Sequence, residues 1–213
     1  MYTGPLLPPR RSDHSEYEQL VRKGEWSAAY RLLGEGLDVK EALQARFVVE
    51  YGSRMPDDEY WELVREAYKH AFQGLDALSN EQLRWLFTSR RGIERLMSGT
   101  EQRVVADFDE TMILYRGYHD PQRLYRFSWT SLEQNAAYFA LLWHDRDGGE
   151  PMIARATARK PGVLVVWSRE AEVVVDPDYV RLEQTYPVTE HYWPMFGYGD
   201  QFRARFGREA TAG

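Results

Sequence analysis

Cysteine is absent from this 213-residue chain. Without thiols the protein can form no disulfide framework, no zinc-thiolate site and no thiol nucleophile. A metal ion would need oxygen or imidazole ligands, and the histidines show no ligand spacing. We therefore expect no metal site. The five histidines are His14, His70, His119, His144 and His191.

Long apolar runs are also lacking. No stretch approaches the roughly 20 apolar residues that span a membrane. The opening ten residues, MYTGPLLPPR, have neither the apolar run nor the small-residue cleavage site of a secretory signal. We therefore expect a cytoplasmic protein with no membrane partner.

A strong excess of basic charge is missing too. The formal net charge is −6, with 15 basic against 17 acidic residues through Val105 and 12 against 16 after it. Neither half is polybasic, which argues against tight non-specific binding of nucleic acid. A nucleic-acid acceptor held locally stays open. No phosphate-binding glycine loop or dinucleotide-fold fingerprint occurs, so any NAD would be a substrate rather than a bound redox cofactor.

What is present is material for a core, because 43% of the residues are hydrophobic and 14% aromatic. Residues 1–14 are predicted to be a flexible lead-in. Apolar residues then recur at helical spacing, and Ser79 with Gln82 has the spacing of a capping box. From about residue 106 the pattern becomes strand-like. We predict a helical region over 15–105 and a β-rich core over 106–213.

The strand-like segments fix the expected fold class. One helix, predicted over 132–143, interrupts them, and the tail from 186 to 206 has no clean period. We predict an α+β protein in which the helical region packs on a mixed, mainly antiparallel sheet. The predicted strands are 112–115, 127–130, 152–157, 163–167 and 172–175.

Three short motifs in the strand-rich half carry side chains suited to chemistry. Residues 114–117 (Leu-Tyr-Arg-Gly) place an arginine before a glycine at the end of a strand. Residues 127–131 (Phe-Ser-Trp-Thr-Ser) alternate two hydroxyls with two aromatics, so Ser128 and Thr130 should share one face. Residues 168–172 (Ser-Arg-Glu-Ala-Glu) bring two carboxylates to the start of an apolar strand.

In this order the three motifs resemble those of the Arg–Ser–Glu class of ADP-ribosyltransferases. The likeness covers residues 112–177 and includes an Ala-x-Phe-Ala-type helix after the second motif. It departs from the family pattern in two ways. Trp129 stands in the middle of the serine-containing second motif, and few residues separate the second motif from the third. The resemblance implies a split-sheet core, NAD as substrate, and mono-ADP-ribosyl transfer, a glycosyl-transfer reaction, to an acceptor.

The resemblance also implies roles for individual residues. Glu172 would bind the 2′-hydroxyl of the nicotinamide ribose and, as in glycoside hydrolysis, oppose an oxocarbenium-like charge. Ser128 would fix that carboxylate, and Thr130 would support its strand. The Arg116 fork would contact the diphosphate or ribose. The Gly117 main chain would meet the nicotinamide carboxamide.

Two further roles concern stacking and the acceptor. Phe139, or second to it Tyr138, would stack on NAD. Glu170 would contact the acceptor and, in this class, often accompanies transfer to arginine. Protein arginine is therefore the first expected acceptor, while other side chains, a nucleic-acid base or water stay open.

Alternatives of other classes remain. Residues 104–111 resemble the Asp-x-Asp-x-Thr loop of haloacid-dehalogenase-type phosphatases, with Asp107 and Asp109 as the catalytic pair. That chemistry needs a downstream lysine, and only Lys160 follows. A second alternative keeps the transferase-like fold as an inactive interaction protein. The three motifs also have structural explanations: a surface ion pair, a strand edge, and charges that flank the run of valines at 173–175.

Overall fold

The computed structural model describes residues 11–33, 40–70, 78–168, 171–189 and 192. The chain divides into two compact units, one that ends at Ser98 and one that begins at Gly99. The predicted boundary at residue 105 falls inside a helix of the second unit, and the predicted lead-in over 1–14 overlaps a helix that includes Arg11. Within the described residues, no helix is long and apolar enough to cross a membrane.

The described part of the first unit is helical. Its short 3₁₀ turns are Gly52–Arg54 and Ile93–Leu96. The Ser79 hydroxyl accepts from the main-chain N–H of Gln82, and the Gln82 side chain accepts from the main-chain N–H of Ser79. The predicted capping box is therefore confirmed. The α-helices are α1 (Arg11–Lys23), α2 (Trp26–Leu32), α3 (Lys40–Tyr51), α4 (Asp57–His70) and α5 (Asn80–Thr88).

Tyr60 lies at the centre of this unit's aromatic core. Its side chain is fully buried, and its hydroxyl donates to the carbonyl oxygen of Leu86 over 2.6 Å. The guanidinium of Arg90 lies 4.6 Å from the centre of the ring. A Cβ at Gly52 would come within 2.7 Å of the same ring, so only glycine lets this turn approach it without displacement.

The second unit contains an antiparallel sheet with two helices against it. The elements are α6 (Gly99–Asp107), β1 (Thr111–Tyr118), β2 (Ser128–Thr130), α7 (Glu133–Asp147), β3 (Met152–Arg159), β4 (Val163–Trp167), β5 (Glu172–Val175) and β6 (Val180–Pro187), with 3₁₀ turns at Pro121–Arg123, Lys160–Gly162 and Pro177–Tyr179. The strand order is β4-β5-β2-β1-β3-β6, and every described pair of neighbours is antiparallel, so the expectation of a mixed sheet is wrong. The coarse α+β class is confirmed.

Helix α6 begins inside the predicted helical region and ends two residues beyond it, whereas strand β6 was absent from the sequence-based prediction. In β6 a register shift opposite Arg155 and Ala156 leaves Glu183 as an extra residue. Such a bulge moves the following side chains to the other face. Leu182 and Tyr186 consequently belong to different apolar clusters, and the strand shows no single period of two.

The two faces of the sheet have different coverings. On the α6 face, Leu114, Trp129 and Val173 form one apolar cluster, against which Val104 of α6 packs. On the α7 face, Ala136 of α7 clusters with Ile153. This division decides which polar side chains share a surface.

The sheet narrows in its middle. β1 and β3 pair over eight residues of each strand, whereas β1 and β2 share the single pair Tyr115–Thr130. The sheet is therefore two three-stranded halves joined at one point. The candidate site lies at this junction.

Candidate functional site

A line of directly paired residues crosses all six strands on the α7 face. Directly opposite residues of antiparallel strands project from the same face of a sheet. The line therefore gathers a carboxylate, a hydroxyl, a phenol and a guanidinium group on one surface. Its members, in strand order, are Trp167, Glu172, Thr130, Tyr115, Arg155 and Gln184.

Ser128 and Glu172 are in direct contact on this surface. The hydroxyl of Ser128 donates to Glu172 Oε1 over 2.6 Å. Ser128 is paired with Val174 and Glu172 with Thr130, so the bond crosses diagonally between β2 and β5. A hydroxyl bond to a carboxylate is short and stronger than a bond between neutral groups. It holds the half-buried carboxylate in one orientation.

Thr130 lies beside this pair and is only 4% exposed. Its hydroxyl oxygen accepts from the main-chain N–H of Leu132 over 3.1 Å, where β2 ends and α7 is about to begin. This bond fixes the turn between β2 and α7. Because Thr130 is only two residues from Ser128, the same bond also fixes the strand that carries Ser128.

Arg116 occupies the opening between the two halves of the sheet. Its Nε donates to the carbonyl oxygen of Arg123 over 2.9 Å, and its Nη1 donates to that of Ser128. Phe127 O and Ser131 N bond toward β5, so the alternation of the ladder turns Ser128 O toward β1. The Arg116 guanidinium therefore donates to Ser128 O in place of a main-chain N–H of β1, which pairs with β2 only at Thr130.

Strand alternation places Arg116 with Leu114, on the α6 face, whereas Ser128 and Glu172 lie on the α7 face. The three predicted residues are thus joined by hydrogen bonds, but through the Ser128 main chain and not as three side chains around one space. The contact of Arg116 with a diphosphate or ribose stays a prediction.

Gly117 is required for the close packing of α7. A Cβ at this position would overlap the carbonyl oxygen of Ala136 and would lie 2.5 Å from the main-chain nitrogen of Ala140. The space left by the missing side chain is therefore filled by α7. The predicted contact of the Gly117 main chain with a nicotinamide carboxamide stays a prediction.

Two further residues were predicted for the site, Phe139 and Glu170. Phe139 is a half-buried residue of α7 whose ring lies edge-on to Tyr138, with the ring centres 5.5 Å apart. Its stacking on NAD stays a prediction. Glu170 lies outside the described residues.

The main chain immediately before Glu172 has an unusual conformation. Ala171 has φ 49°, the one positive φ at a non-glycine residue in the described chain. Ala171 O accepts from Ser131 N over 3.1 Å, which extends the β2–β5 ladder by one bond. Left-handed backbone at a residue with a Cβ is costly and persists only where the surroundings enforce it.

Sequence reasoning missed a cluster of phenols around Glu133, the first residue of α7. Glu133 Oε1 accepts from Tyr186 over 2.5 Å and from Tyr192, and Tyr115 packs beside them. Burial and the bond to Glu133 raise the pKa of Tyr186, and the same causes raise that of Tyr192 to about 12. No local pattern signals this cluster, because its bonds join residues 53 and 59 positions apart.

The structure gives the phosphatase alternative little support. Asp107 is the last residue of α6, not a residue at the end of a strand. Lys160 Nζ donates to the carbonyl oxygens of Ala106 and Phe108 over 2.6 and 2.8 Å, which caps α6. The described residues contain no group of three or more His, Asp or Glu that could hold a metal ion.

Comparisons of this chain with protein-family models, with curated proteins and with solved structures find no match. The functional assignment therefore rests on the three motifs and on the geometry of the Ser128–Glu172 pair.

Proposed function

We propose that this protein is a mono-ADP-ribosyltransferase that cleaves the nicotinamide–ribose bond of NAD and uses Glu172 as its central catalytic residue. The observation that supports this most is the 2.6 Å bond from Ser128 to Glu172. It joins two residues 44 positions apart, in the two motifs that the family resemblance selects.

The chemistry assigned to Glu172 is electrostatic. As the glycosidic C–N bond breaks, positive charge develops on the ribose, as it does in glycoside hydrolysis. A carboxylate that accepts from the 2′-hydroxyl stabilises this charge more than it stabilises the ground state. Because Ser128 already orients the carboxylate, little reorganisation is needed during the reaction.

The remaining steps are a nucleophilic displacement at C1′ of the nicotinamide ribose. Nicotinamide leaves as a neutral base with the electron pair of the broken bond. A nucleophile of the acceptor then forms a bond to C1′ of the ribose and gives its proton to water. We assign the acceptor contact to Glu170 and propose a protein arginine as the first acceptor to test.

The NAD-binding residues follow from the same site. We assign NAD binding to the side chains of Ser128 and Thr130 on β2 and to the main chain of Gly117 on β1. Arg116 holds the Ser128 main chain in place, and Phe139 is the residue of α7 assigned to stacking. NAD is the substrate, and this reaction needs no metal.

The experiment is an assay of nicotinamide release from NAD by the purified protein, with and without an arginine-rich acceptor protein. We expect nicotinamide release in both, and faster release with the acceptor. The parallel assay uses p-nitrophenyl phosphate with Mg²⁺. Absence of nicotinamide release would contradict the proposal and favour the inactive interaction protein, whereas phosphate ester hydrolysis alone would favour the phosphatase.

A further inference from the structure

Glu101, in the first turn of α6, is bonded to the connection that precedes Glu172. Its Oε1 accepts from the main-chain N–H of Ser168 over 2.9 Å and from the Ser168 hydroxyl over 3.2 Å. The two residues are 67 positions apart in the chain. Glu101 Oε1 thus accepts from both the main-chain N–H and the hydroxyl of Ser168, the residue directly after β4.

Ser168 and Ala171 are the described residues between β4 and β5, and hydrogen bonds hold both of them. Trp167 pairs directly with Glu172 across β4 and β5. Between them, Ala171 N donates to Ser168 O over 3.2 Å, and Ala171 O accepts from Ser131 N. A displacement of Ser168 therefore reaches Ala171 through one hydrogen bond, and Ala171 is bonded covalently to Glu172.

The left-handed conformation of Ala171 needs support of this kind. A residue with a Cβ at φ 49° would relax if the neighbouring bonds were removed. The bonds that hold its two main-chain groups lead to β2 on one side and to Ser168 on the other. Of these two supports, the one at Ser168 depends on Glu101.

The Glu101 carboxylate is also bonded away from its own helix. An acidic residue in the first turn of a helix commonly binds N–H groups of that helix or favours its dipole. Glu101 also accepts from Ser168, directly after β4, and α6 packs on this part of the sheet through Val104 and Val105. The apolar contacts attach α6 to the sheet, and Glu101 adds a polar contact to Ser168 at the end of β4.

We infer that Glu101 is a positioning residue for catalysis: through Ser168 and Ala171 it sets the position of Glu172. This inference rests on the proposed function in that Glu172 is taken as the catalytic carboxylate. Glu101 itself touches no reacting atom in this scheme. It acts on turnover by holding the main chain that carries Glu172.

The test compares Glu101→Ala with Glu101→Gln, and uses Glu110→Gln as the control for loss of a nearby exposed carboxylate. Alanine removes both bonds to Ser168, whereas the amide oxygen of glutamine still accepts from Ser168 N. We expect kcat for nicotinamide release to fall about tenfold in Glu101→Ala with KM little changed, and the glutamine variant to recover most of the loss. Glu110→Gln should match the wild type.

A double variant with Ser168→Ala sharpens the result. If Glu101 acts through Ser168, adding Ser168→Ala to Glu101→Ala should lower kcat by less than the two single losses multiplied. Unchanged kcat in Glu101→Ala, or equal losses in its alanine and glutamine variants, would overturn the inference.

Amide hydrogen exchange gives a readout that does not depend on activity. Glu101→Ala should speed exchange at Ala171 N and Ser131 N, while the amides of the β1–β3 ladder keep wild-type rates. Unchanged exchange at Ala171 and Ser131 would overturn the positioning role. If the wild type released no nicotinamide, the proposed function would fail, and the exchange experiment would still decide whether Glu101 fixes the connection.

Discussion

The helical unit and the sheet unit both use an arginine to hold main-chain carbonyls, but the two arginines have different surroundings. In the helical unit, Arg90 donates to the carbonyl oxygens of Met55 and Gly52 and to Asp57, and its guanidinium lies over the ring of Tyr60. These bonds link the turn after α3 to the segment after α5. They join residues of that unit alone, and the Asp57 carboxylate among them is 61% exposed.

In the sheet unit, the hydrogen bonds of Arg116 connect to the Glu172 carboxylate through Ser128. Arg116 holds Ser128 O, and the Ser128 hydroxyl donates to Glu172, which is half-buried on the α7 face. The Asp57 carboxylate is paired directly with Arg90, whereas Glu172 accepts from a neutral hydroxyl at the proposed site. We therefore expect substitutions in the two units to affect different measurements.

The largest effect is expected from Gly117→Ala, compared with Gly52→Ala in the helical unit. The added methyl group at Gly117 overlaps the main chain of α7, while at Gly52 it lies 2.7 Å from the ring of Tyr60, which is a smaller overlap. We expect Gly117→Ala to lower the free energy of unfolding by about 3 kcal/mol and Gly52→Ala by less. Urea unfolding measures both, and Gly99→Ala, where a Cβ meets nothing within 4 Å, is the control. Equal losses at Gly117 and Gly99 would contradict the packing described for α7.

The next comparison is Arg116→Lys against Arg90→Lys. Lysine keeps the charge but cannot bridge two carbonyls with a planar fork. Arg116→Lys should slow nicotinamide release by roughly 1–3 kcal/mol of activation free energy, because Ser128 loses its support. Arg90→Lys should instead lower the unfolding free energy and leave kcat unchanged. A loss of kcat in Arg90→Lys as large as that in Arg116→Lys would remove the contrast between the units.

The two networks also differ in how far the sequence predicts them. The capping box at Ser79 and the alternation of Ser128 with Trp129 follow from neighbouring residues, and both are found. The position of Arg116 does not follow from its motif, because the face it projects from depends on the one pair that joins β1 to β2. Strand β6 was missed because its bulge divides its apolar residues between two faces.

A smaller effect is expected from Ser128→Ala, compared with Tyr60→Phe. Ser128→Ala removes the hydroxyl bond to Glu172, and Tyr60→Phe removes the bonds of its hydroxyl to Leu86 O and Ser89 Oγ. Ser128→Ala should lower kcat about tenfold with little change in stability, because a bond to a charged group is lost at the proposed site. Tyr60→Phe should lower the unfolding free energy by about 1 kcal/mol, because a buried carbonyl loses its donor, with kcat unchanged. If Ser128→Ala kept wild-type turnover, the carboxylate would not depend on that hydroxyl.

The smallest effect concerns the phenols around Glu133. The pKa of Tyr192 is raised to about 12, so its neutral form is favoured in the folded state over the unfolded state, where the pKa is about 10. The stabilisation is complete below pH 10 and is lost as the pH rises toward 12. Glu133→Gln should lower this pKa toward 10 in an NMR titration of the tyrosine ring carbons. A pKa of Tyr192 near 10 in the wild type would show that burial and Glu133 do not act on it as described.

Nicotinamide release by Glu172→Gln tests the central claim most directly, with Glu183→Gln as the control for another carboxylate on the same sheet. Glutamine keeps the size of the side chain but removes the charge that opposes the developing ribose cation. The account predicts turnover lower by about 10²–10³-fold in Glu172→Gln, with NAD affinity by calorimetry nearly unchanged and Glu183→Gln close to the wild type. Wild-type turnover in Glu172→Gln would contradict the account, since the Ser128–Glu172 pair would then have no part in breaking the bond.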